Sequence, residues 1–307
     1  MNILVTGGSG FIGSHVCELL IKKKHKAIII DDLSSGSLDN LLNLNNSDYK
    51  FYNSRLEDFN LEDLNEIDGV IHLAAQASVP YSISNFYKSS ETNLLSSLKI
   101  IDYCSNKDIP LIYASSSAIY GSLDYGNDKT SDIDLISPYA ADKYSLEVYT
   151  KMAHTVYGLS SIGLRFFNVY GPRQDPSNPY SGVISIFIDR LLLKKDIQIN
   201  GGKQTRDFIY VSDIADSIYK ALICCKEKKM NSTINVLTGK SISIDYLADI
   251  LIKALSPSSK KKYCEYIAGD PLKSEGSINR LTCDLEMDIS RFIQLEEGLK
   301  KTIQSYE

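Results

Sequence analysis

The feature that most constrains the fold is a glycine-rich turn that directly follows a short apolar stretch. Residues 2–6 are apolar enough for a buried strand, and an amphipathic run begins at residue 11. Between them lie three glycines in G-x-x-G-x-x-G spacing, Gly7, Gly10 and Gly13. Glycine permits a tight turn and a close approach of the backbone to a pyrophosphate, and the following helix turns its N-terminus toward the phosphates. The pattern predicts a strand–turn–helix unit that binds a dinucleotide.

An acidic residue at the end of the second predicted strand supports this interpretation. Asp31 follows the glycines by roughly 20 residues, where a carboxylate can hydrogen-bond an adenosine ribose 2′-hydroxyl. The next basic residue is Lys50, so no nearby cation is placed to hold a 2′-phosphate. The sequence therefore favours NAD over NADP. The alternative for Asp31 is a plain cap at the strand end.

Short apolar runs alternate with longer amphipathic ones through the first half of the chain. We predict strands at 2–6, 27–30, 70–73, 109–114 and 161–166, with helices at 11–24, 92–106 and 137–157. Such alternation is typical of an α/β fold with a doubly wound parallel sheet, the Rossmann arrangement.

The second half of the chain is less regular and predicts a second unit. A strand at 207–211, a helix at 212–226 and a strand at 233–237 are expected to rejoin the first sheet. The prediction is therefore an NAD-binding domain over 1–167, rejoined by about 206–237, and a smaller C-terminal α/β substrate lobe made of 168–205 and 238–307.

Composition excludes several other classes. The chain has 307 residues and a net charge of −5, so no basic surface points to nucleic acid. No apolar segment approaches the roughly 18 residues of a membrane span. The six cysteines are scattered without a C-x-x-C pair, which predicts neither a metal site nor a disulfide framework. We expect a cytoplasmic protein with reduced thiols.

A tyrosine and a lysine share one face of the helix predicted at 137–157. Tyr139 and Lys143 are four residues apart, and Pro138 suits the first turn of this helix. An ammonium near a phenol favours the phenolate and lowers its pKa, which makes tyrosine a general base. Alone, such a pair is more often an ordinary helix face.

A run of three serines at the end of the strand predicted at 109–114 favours a catalytic interpretation of the tyrosine–lysine pair. Ligands of parallel sheets bind beyond the carboxyl ends of the strands. Ser116, with Ser117 beside it, can hydrogen-bond the oxygen whose proton Tyr139 removes. The alternative is a simple helix cap.

Taken in order, the glycine turn, the serine run and the Tyr-x-x-x-Lys helix resemble the extended short-chain dehydrogenase/reductases. The resemblance covers nearly the whole chain, and two later stretches, 164–174 and 205–213, resemble those of nucleotide-sugar epimerases. It implies a retained NAD and reversible C4 epimerisation of a UDP-hexose through a 4-keto sugar. Tyr139 would remove the proton of the sugar 4″-hydroxyl, Ser116 would hold that oxygen, and Lys143 would also hold the nicotinamide ribose.

The resemblance also implies binding residues. Besides the glycines, Asp31, Tyr139 and Lys143, the cofactor would contact Phe11, Ile12, Asp32, Leu56, Leu73, Ala74, Ala75 and Asn93. The UDP-sugar would contact Ser117, Asn168, Ser181, Val183, Asn200, Arg206, Asp270 and Ser274. His72 is expected to be structural.

Two positions depart from the family pattern, and a third bears on substrate choice. Arg55 stands where an adenine-contacting aspartate is usual, and Ile267 where a phosphate-binding arginine is frequent. Ser274 occupies a position that is bulky in enzymes restricted to hexoses. A small residue there leaves room for an N-acetyl group, which favours UDP-N-acetylglucosamine, with UDP-glucose as a further substrate.

Three alternatives stay open. Nucleotide-sugar dehydratases and decarboxylases are similar but carry an acidic residue in the strand-end motif, which here is Ser-Ser-Ala at 116–118. A reductase that releases NADP conflicts with Asp31. A non-catalytic NAD-binding protein of the same fold would not need both Tyr139 and Lys143. The resemblance further implies a homodimer through the helices predicted at 92–106 and 137–157.

Overall fold

Strands and helices alternate along the chain from its first residues. The computed structural model describes residues 1–45, 47–176, 182–265 and 271–306. The strands within these ranges are β1 (Asn2–Thr6), β2 (Lys26–Asp31), β3 (Tyr49–Asn53), β4 (Gly69–His72), β5 (Leu111–Ser116), β6 (Ser161–Phe166), β7 (Asn168–Tyr170), β8 (Ile197–Asn200), β9 (Thr205–Tyr210), β10 (Asn231–Val236), β11 (Ser241–Ser243) and β12 (Lys261–Cys264). The α-helices are α1 (Phe11–Lys22), α2 (Val79–Ser84), α3 (Phe86–Lys107), α4 (Pro138–Tyr157), α5 (Val183–Leu192), α6 (Val211–Glu227), α7 (Ile244–Leu255), α8 (Asn279–Cys283) and α9 (Leu295–Gln304).

Seven strands form one parallel sheet in the order β10-β6-β5-β4-β1-β2-β3. The order reverses direction between β1 and β4, so the carboxyl ends of these two strands flank a crevice. The predicted doubly wound parallel sheet is confirmed.

Both faces of this sheet are covered, which explains the unbroken apolar runs in its central strands β1 and β2. On one face Ile3 and Val5 pack in a core that includes Leu20 of α1 and Leu222 of α6. On the other face Leu4 packs in a second core with residues of α3 and α4.

The remaining strands build a smaller lobe. β9 pairs in parallel with β7 and antiparallel with β11, while β12 pairs with β8. Helices α5, α7 and α9 enclose a third core beside these strands.

The structure differs from the predicted elements at β9, β3 and α3. The strand predicted at 207–211 to rejoin the main sheet is β9 of the small sheet, so that part of the prediction is wrong; α6 and β10 do join the main sheet. β3 was not predicted, because this edge strand carries polar residues and is only half-buried. The helix predicted at 92–106 begins earlier, as α3, and is preceded by the short helix α2.

The described residues include neither a helix suited to a membrane nor a cluster of side chains suited to a metal ion. No helix there combines the length and the apolar character needed to cross a bilayer. No group of three or more His, Cys, Asp or Glu side chains there is arranged to hold a metal ion.

Candidate active site

The glycine turn lies against the end of β4. Gly7 has a φ of +70°, and a Cβ atom there would lie 2.8 Å from the backbone nitrogen of Ala74. Any other residue would be strained and would push the two strand ends apart. Gly10 caps α1 without a side-chain hydrogen bond, so the first N–H groups of this helix face outward from the turn. The turn thus has the shape and polarity to receive a pyrophosphate.

Asp31 combines the two roles considered for it. Its Oδ2 accepts a hydrogen bond from the backbone N–H of Ser9 in the glycine turn (3.0 Å), and its Oδ1 accepts one from Leu33 (2.9 Å). A carboxylate has about four acceptor positions, so both oxygens keep capacity for a ribose hydroxyl. Asp31 therefore holds the turn in place and can bind a cofactor at the same time.

The other predicted cofactor residues fall into two groups. Backbone N–H groups of Leu73 and Ala74 donate to Thr6 Oγ1 at 3.2 Å each, which holds the segment that contains Ala75 beside the glycine turn. The side chains of the second group serve other purposes: Phe11, Ile12 and Leu56 pack in the cores, and Asp32 accepts from Ser34. Arg55 pairs with Glu57 at 3.2 Å.

Asn93 connects the segment after β4 with helix α4. Its amide accepts from the backbone N–H of Gln76 (2.8 Å) and donates to Gln76 O (3.2 Å) and to Asp142 Oδ2 (3.1 Å). Asn93 and Asp142 are 5% exposed. In the described structure Asn93 therefore positions the walls of the crevice.

Helix α4 begins at a strong cap that sets the position of Tyr139. Ser137 caps the helix by accepting from the N–H of Ala140, and Pro138 occupies the first turn. The backbone N–H of Tyr139 donates to Ser82 Oγ at 3.2 Å. One turn later Lys143 Nζ donates to Ala114 O at the end of β5 (2.9 Å) and lies 5.8 Å from the Tyr139 ring centre.

The electrostatics of this pair differ from the prediction. Burial raises the pKa of Tyr139 above its ordinary value, and the hydrogen bond with Ser116 opposes this only in part. Burial also lowers the pKa of Lys143 to about 8, against the opposing charge of Asp142. The expected lowering of the Tyr139 pKa by Lys143 is wrong for the chain's own residues, because desolvation of the buried phenol is the largest influence on its pKa.

Ser116 ends β5 facing the tyrosine. Its side chain hydrogen-bonds Tyr139 and accepts from the backbone N–H of Ala118 at 3.1 Å. Ser117 opens the short 3-10 turn that follows. Ser116, Tyr139 and Lys143 therefore meet at the carboxyl end of one strand, while the cap predicted as the alternative for Ser116 is also present.

His72 is structural. Its ring nitrogens lie 2.8 Å from Thr6 Oγ1 and 3.1 Å from Ser97 Oγ, and the side chain is buried. Burial and the charge of Lys143 lower its pKa to about 3. The ring is therefore neutral at physiological pH.

A cavity of about 300 Å³ opens in the small lobe. Its walls include four of the predicted substrate residues, namely Asn168, Val183, Asn200 and Arg206. Arg206 is 8% exposed and donates from Nη1 to Thr205 O at 2.7 Å.

Ser274 lies beside the cavity. Its Oγ accepts a hydrogen bond from Asn168 Nδ2 at 3.2 Å, and the same amide nitrogen contacts Asp207 O at 3.0 Å. Three positions singled out in the sequence, Ser181, Asp270 and Ile267, lie outside the described residues.

Sequence reasoning missed several polar residues of these walls. Gln174, Gln198 and Gln204 line the cavity, and Ser82 and Asp142 support the catalytic helix. Of these, only Asp142 carried a usable signal, because it lies within the Tyr-x-x-x-Lys turn one residue before the lysine.

Comparison with known proteins agrees with this geometry. Residues 3–236 match the family described as the NAD dependent epimerase/dehydratase family. The chain belongs to this family. NAD is its cofactor, as predicted from the glycine turn and Asp31, and the cradle formed by Gly7, the start of α1 and Asp31 fits that group.

Solved and curated members of the family resemble the chain over their full lengths. A UDP-N-acetylglucosamine 4-epimerase of Methanobrevibacter ruminantium, solved with UDP-N-acetylmuramic acid, is 39% identical with a TM-score of 0.92, covering 99% of this chain and 97% of that one. A UDP-glucose 4-epimerase of Thermotoga maritima, solved with UDP-glucose, is 35% identical with a TM-score of 0.91, covering 100% and 98%. A UDP-glucuronate 4-epimerase of Thermodesulfobacterium geofontis is 32% identical over 98% of this chain and 94% of its own length.

Proposed function

We propose that the protein catalyses the reversible C4 epimerisation of a UDP-hexose with a retained NAD, and that UDP-N-acetylglucosamine is its substrate. The observation that carries the proposal is the meeting of Ser116, Tyr139 and Lys143 at the end of β5. The similarity of the whole chain to the 4-epimerases named above supports the same reaction type.

The chain's own residues handle the proton and the sugar oxygen. Tyr139 removes the proton of the 4″-hydroxyl, and Ser116 hydrogen-bonds the same oxygen as it becomes a carbonyl. Because the pKa of Tyr139 is raised, the positive charge of Lys143 on the same helix face is needed to favour the phenolate. When bound in the crevice, NAD supplies reversible uptake of the hydrogen at C4. The keto sugar must then turn over, so that C4 is rebuilt with the opposite configuration.

The residues that would hold the cofactor and the nucleotide are already arranged. The N–H groups at the start of α1 face a pyrophosphate, and Asp31 accepts from a ribose. In the small lobe the guanidinium of Arg206 provides charge-assisted hydrogen bonds to the substrate diphosphate, and the cavity of about 300 Å³ receives the nucleoside.

Substrate choice follows from the side chain at 274. Ser274 contacts Asn168 at the cavity and extends no further, whereas a tyrosine there would fill the adjoining space. An acetamido group needs this space while the keto sugar turns over. We therefore expect turnover of UDP-N-acetylglucosamine, with UDP-glucose as a second substrate.

The residues at the end of β5 argue against dehydration and decarboxylation, the reactions of the related enzymes. Dehydration at C5 and C6, and decarboxylation, need a further acid or base beside the sugar. In Ser-Ser-Ala at 116–118 the side chains offer hydroxyls and a methyl group but no carboxylate.

The experiment that tests the function uses purified protein without added cofactor. The protein is incubated separately with UDP-N-acetylglucosamine and UDP-glucose, and the anomeric proton signals are followed by NMR. We expect the galacto epimer of UDP-N-acetylglucosamine to form faster. If neither substrate is epimerised, even with NAD supplied, the proposal is wrong.

Two variants separate the roles of individual residues. Tyr139→Phe should bind NAD and lack turnover, since it keeps the ring and loses the base; full activity would remove the assigned role. Ser274→Tyr should abolish turnover of the acetamido sugar and keep that of UDP-glucose. A substrate ratio unchanged by Ser274→Tyr would contradict the argument from space.

We further propose a homodimer through α3 and α4. Val148, Met152 and Val156 recur at four-residue spacing on α4 and are 48%, 41% and 61% exposed, and Leu95 of α3 is 53% exposed. The two helices pack side by side, and we propose that these residues form one apolar face. A second copy of the chain would cover this face in a four-helix interface, which agrees with the symmetry of most homo-oligomers.

A further inference from the structure

A chain of buried hydrogen bonds runs from the catalytic helix to the edge of the substrate cavity. It starts at Glu147, one turn after Lys143 on α4. The Glu147 carboxylate pairs with the Arg165 guanidinium of β6 at 2.7 Å (Oε2–Nη2) and 2.9 Å (Oε1–Nε), and it accepts from Ser115 at 2.5 Å. Ser115 immediately precedes the catalytic Ser116.

The chain continues through Tyr120 to Asn235 of β10. Arg165 Nη1 lies 2.8 Å from the Tyr120 hydroxyl, which lies 2.6 Å from Asn235 Oδ1. Asn235 Nδ2 then reaches two backbone carbonyls, Gly126 O at 3.1 Å and Ser277 O at 3.3 Å. Asn235 has no exposed surface, and Glu147, Arg165 and Tyr120 are at most 7% exposed.

Chemistry fixes the direction of each bond. A carboxylate only accepts and a guanidinium only donates. The Tyr120 hydroxyl therefore accepts from Arg165 and gives its single proton to Asn235 Oδ1. Burial raises the pKa of Tyr120 to about 12, so this proton is retained at neutral pH. The Asn235 amide must consequently turn its NH₂ group toward the two carbonyls.

These two carbonyls belong to segments that are joined next to Ser274. The N–H of Gly126 donates to Glu275 O (2.8 Å), and the N–H of Ser277 donates to Gly126 O (2.9 Å). The residues between these contacts therefore pair with loop 121–128 in a short parallel bridge. Ser274 immediately precedes this bridged segment, and its Oγ contacts Asn168 at the cavity.

We propose that Asn235, oriented by Tyr120 and the buried Arg165–Glu147 pair, is a positioning residue that fixes the Ser274 segment over the sugar site and so sets substrate choice. The effect on substrate choice rests on the proposed function. The hydrogen bonds from Asn235 to Gly126 O and Ser277 O, here called the clamp, are a property of the fold and can be tested without a substrate.

The first test compares two tyrosines of the same region. Tyr120→Phe removes the hydroxyl that orients Asn235. Tyr113→Phe is the matched control. The Tyr113 side chain is also buried, and its hydroxyl hydrogen-bonds Thr150 at 2.9 Å and lies outside the hydrogen-bond chain from Glu147 to Asn235. Both variants lose one buried hydrogen bond and should lose similar stability. Only Tyr120→Phe should raise KM for UDP-N-acetylglucosamine, by roughly fivefold, the factor that corresponds to one hydrogen bond.

Further readouts separate positioning from general damage. In Tyr120→Phe we expect kcat to change less than KM, and the preference between UDP-N-acetylglucosamine and UDP-glucose to move toward equality. Asn235→Leu should change the same quantities more strongly, since it removes both carbonyl contacts. If Asn235→Leu does not fold, the tyrosine pair decides alone. Equal substrate ratios in Tyr120→Phe, Tyr113→Phe and the unmodified protein would overturn the proposal.

Hydrogen exchange tests the clamp without any enzymatic assay. The amides of Gly126 and Ser277 should exchange faster in Tyr120→Phe than in Tyr113→Phe, because their hydrogen bonds lie within the clamped bridge. Unchanged exchange would refute the clamp even in an active enzyme. Faster exchange in a protein that epimerises neither sugar would refute the proposed function and leave the clamp intact.

Discussion

Replacing Lys143, which we propose to act in catalysis, should make the protein more stable while it destroys activity. Lys143 is 6% exposed, and burial lowers its pKa from an ordinary 10.5 to about 8. At ~1.4 kcal/mol for each factor of ten in proton affinity, holding this amine charged in the folded chain costs about 3 kcal/mol at pH 7. Lys143→Met removes that cost. It also removes the 2.9 Å bond from Nζ to Ala114 O, which contributes about 1 kcal/mol.

The pH dependence of the stability gain tests whether burial of the charged amine is its cause. Between about pH 8 and pH 10.5 the folded chain binds fewer protons at this site than the unfolded chain, so stability rises with pH there. The cost at pH 9 is therefore about 2 kcal/mol, smaller than at pH 7. Lys143→Met should gain about 2 kcal/mol at pH 7 and about 1 kcal/mol at pH 9.

Urea unfolding of both proteins at the two pH values measures this difference. The samples must be freed of retained NAD, because a ligand that binds only the folded state adds its own stability. Lys253→Met, at an exposed position on α7, is the control and should give the same small effect at both pH values. A loss of stability in Lys143→Met at pH 7, or a gain that does not shrink at pH 9, would refute the reasoning.

Three more predictions concern other parts of the molecule. His72 has a folded pKa of about 3, so between pH 7.5 and pH 5 the unfolded chain binds the extra proton and the protein loses about 2 kcal/mol; His72→Gln should flatten this slope in urea titrations. Gly276→Ala would bring a Cβ to 2.7 Å from the ring of the buried Phe167 and should cost roughly 1–3 kcal/mol, measured as a lower urea midpoint. Val156→Asp should convert a dimer to a monomer in sedimentation, whereas Leu193→Asp, also exposed, should leave the mass unchanged.

The main sheet could be predicted because its strands are buried on both faces. Unbroken apolar runs such as 3–5 and 27–30 favour burial on both faces in a globular protein of this length. The pairing of one strand with another could not be predicted in the same way. β9 is as apolar as its neighbours, yet it pairs with β7 and β11, and burial alone carries no information on which strands pair.

The candidate site could be predicted where its residues are close together in the sequence. It could not be predicted where residues that are distant in the sequence come together in the fold. Tyr139 and Lys143 are four residues apart, so helical spacing alone places them together. The contact between Asn93 and Asp142 joins α3 and α4 over 49 residues. Asn235 likewise lies within the largely buried strand β10 and contacts residues more than 40 positions away. Long-range polar contacts of this kind leave no pattern in a single sequence.

The double use of Asp31 limits how the cofactor preference of this protein can be redesigned. Exchanging NAD for NADP requires loss of the carboxylate, to make room for a phosphate and its counter-charge. That change would also strip the acceptor from the N–H groups of Ser9 and Leu33 and so loosen the turn that receives the pyrophosphate. The same carboxylate therefore affects both the cofactor preference and the geometry of the turn. A successful redesign must therefore rebuild the turn together with the discriminating residue.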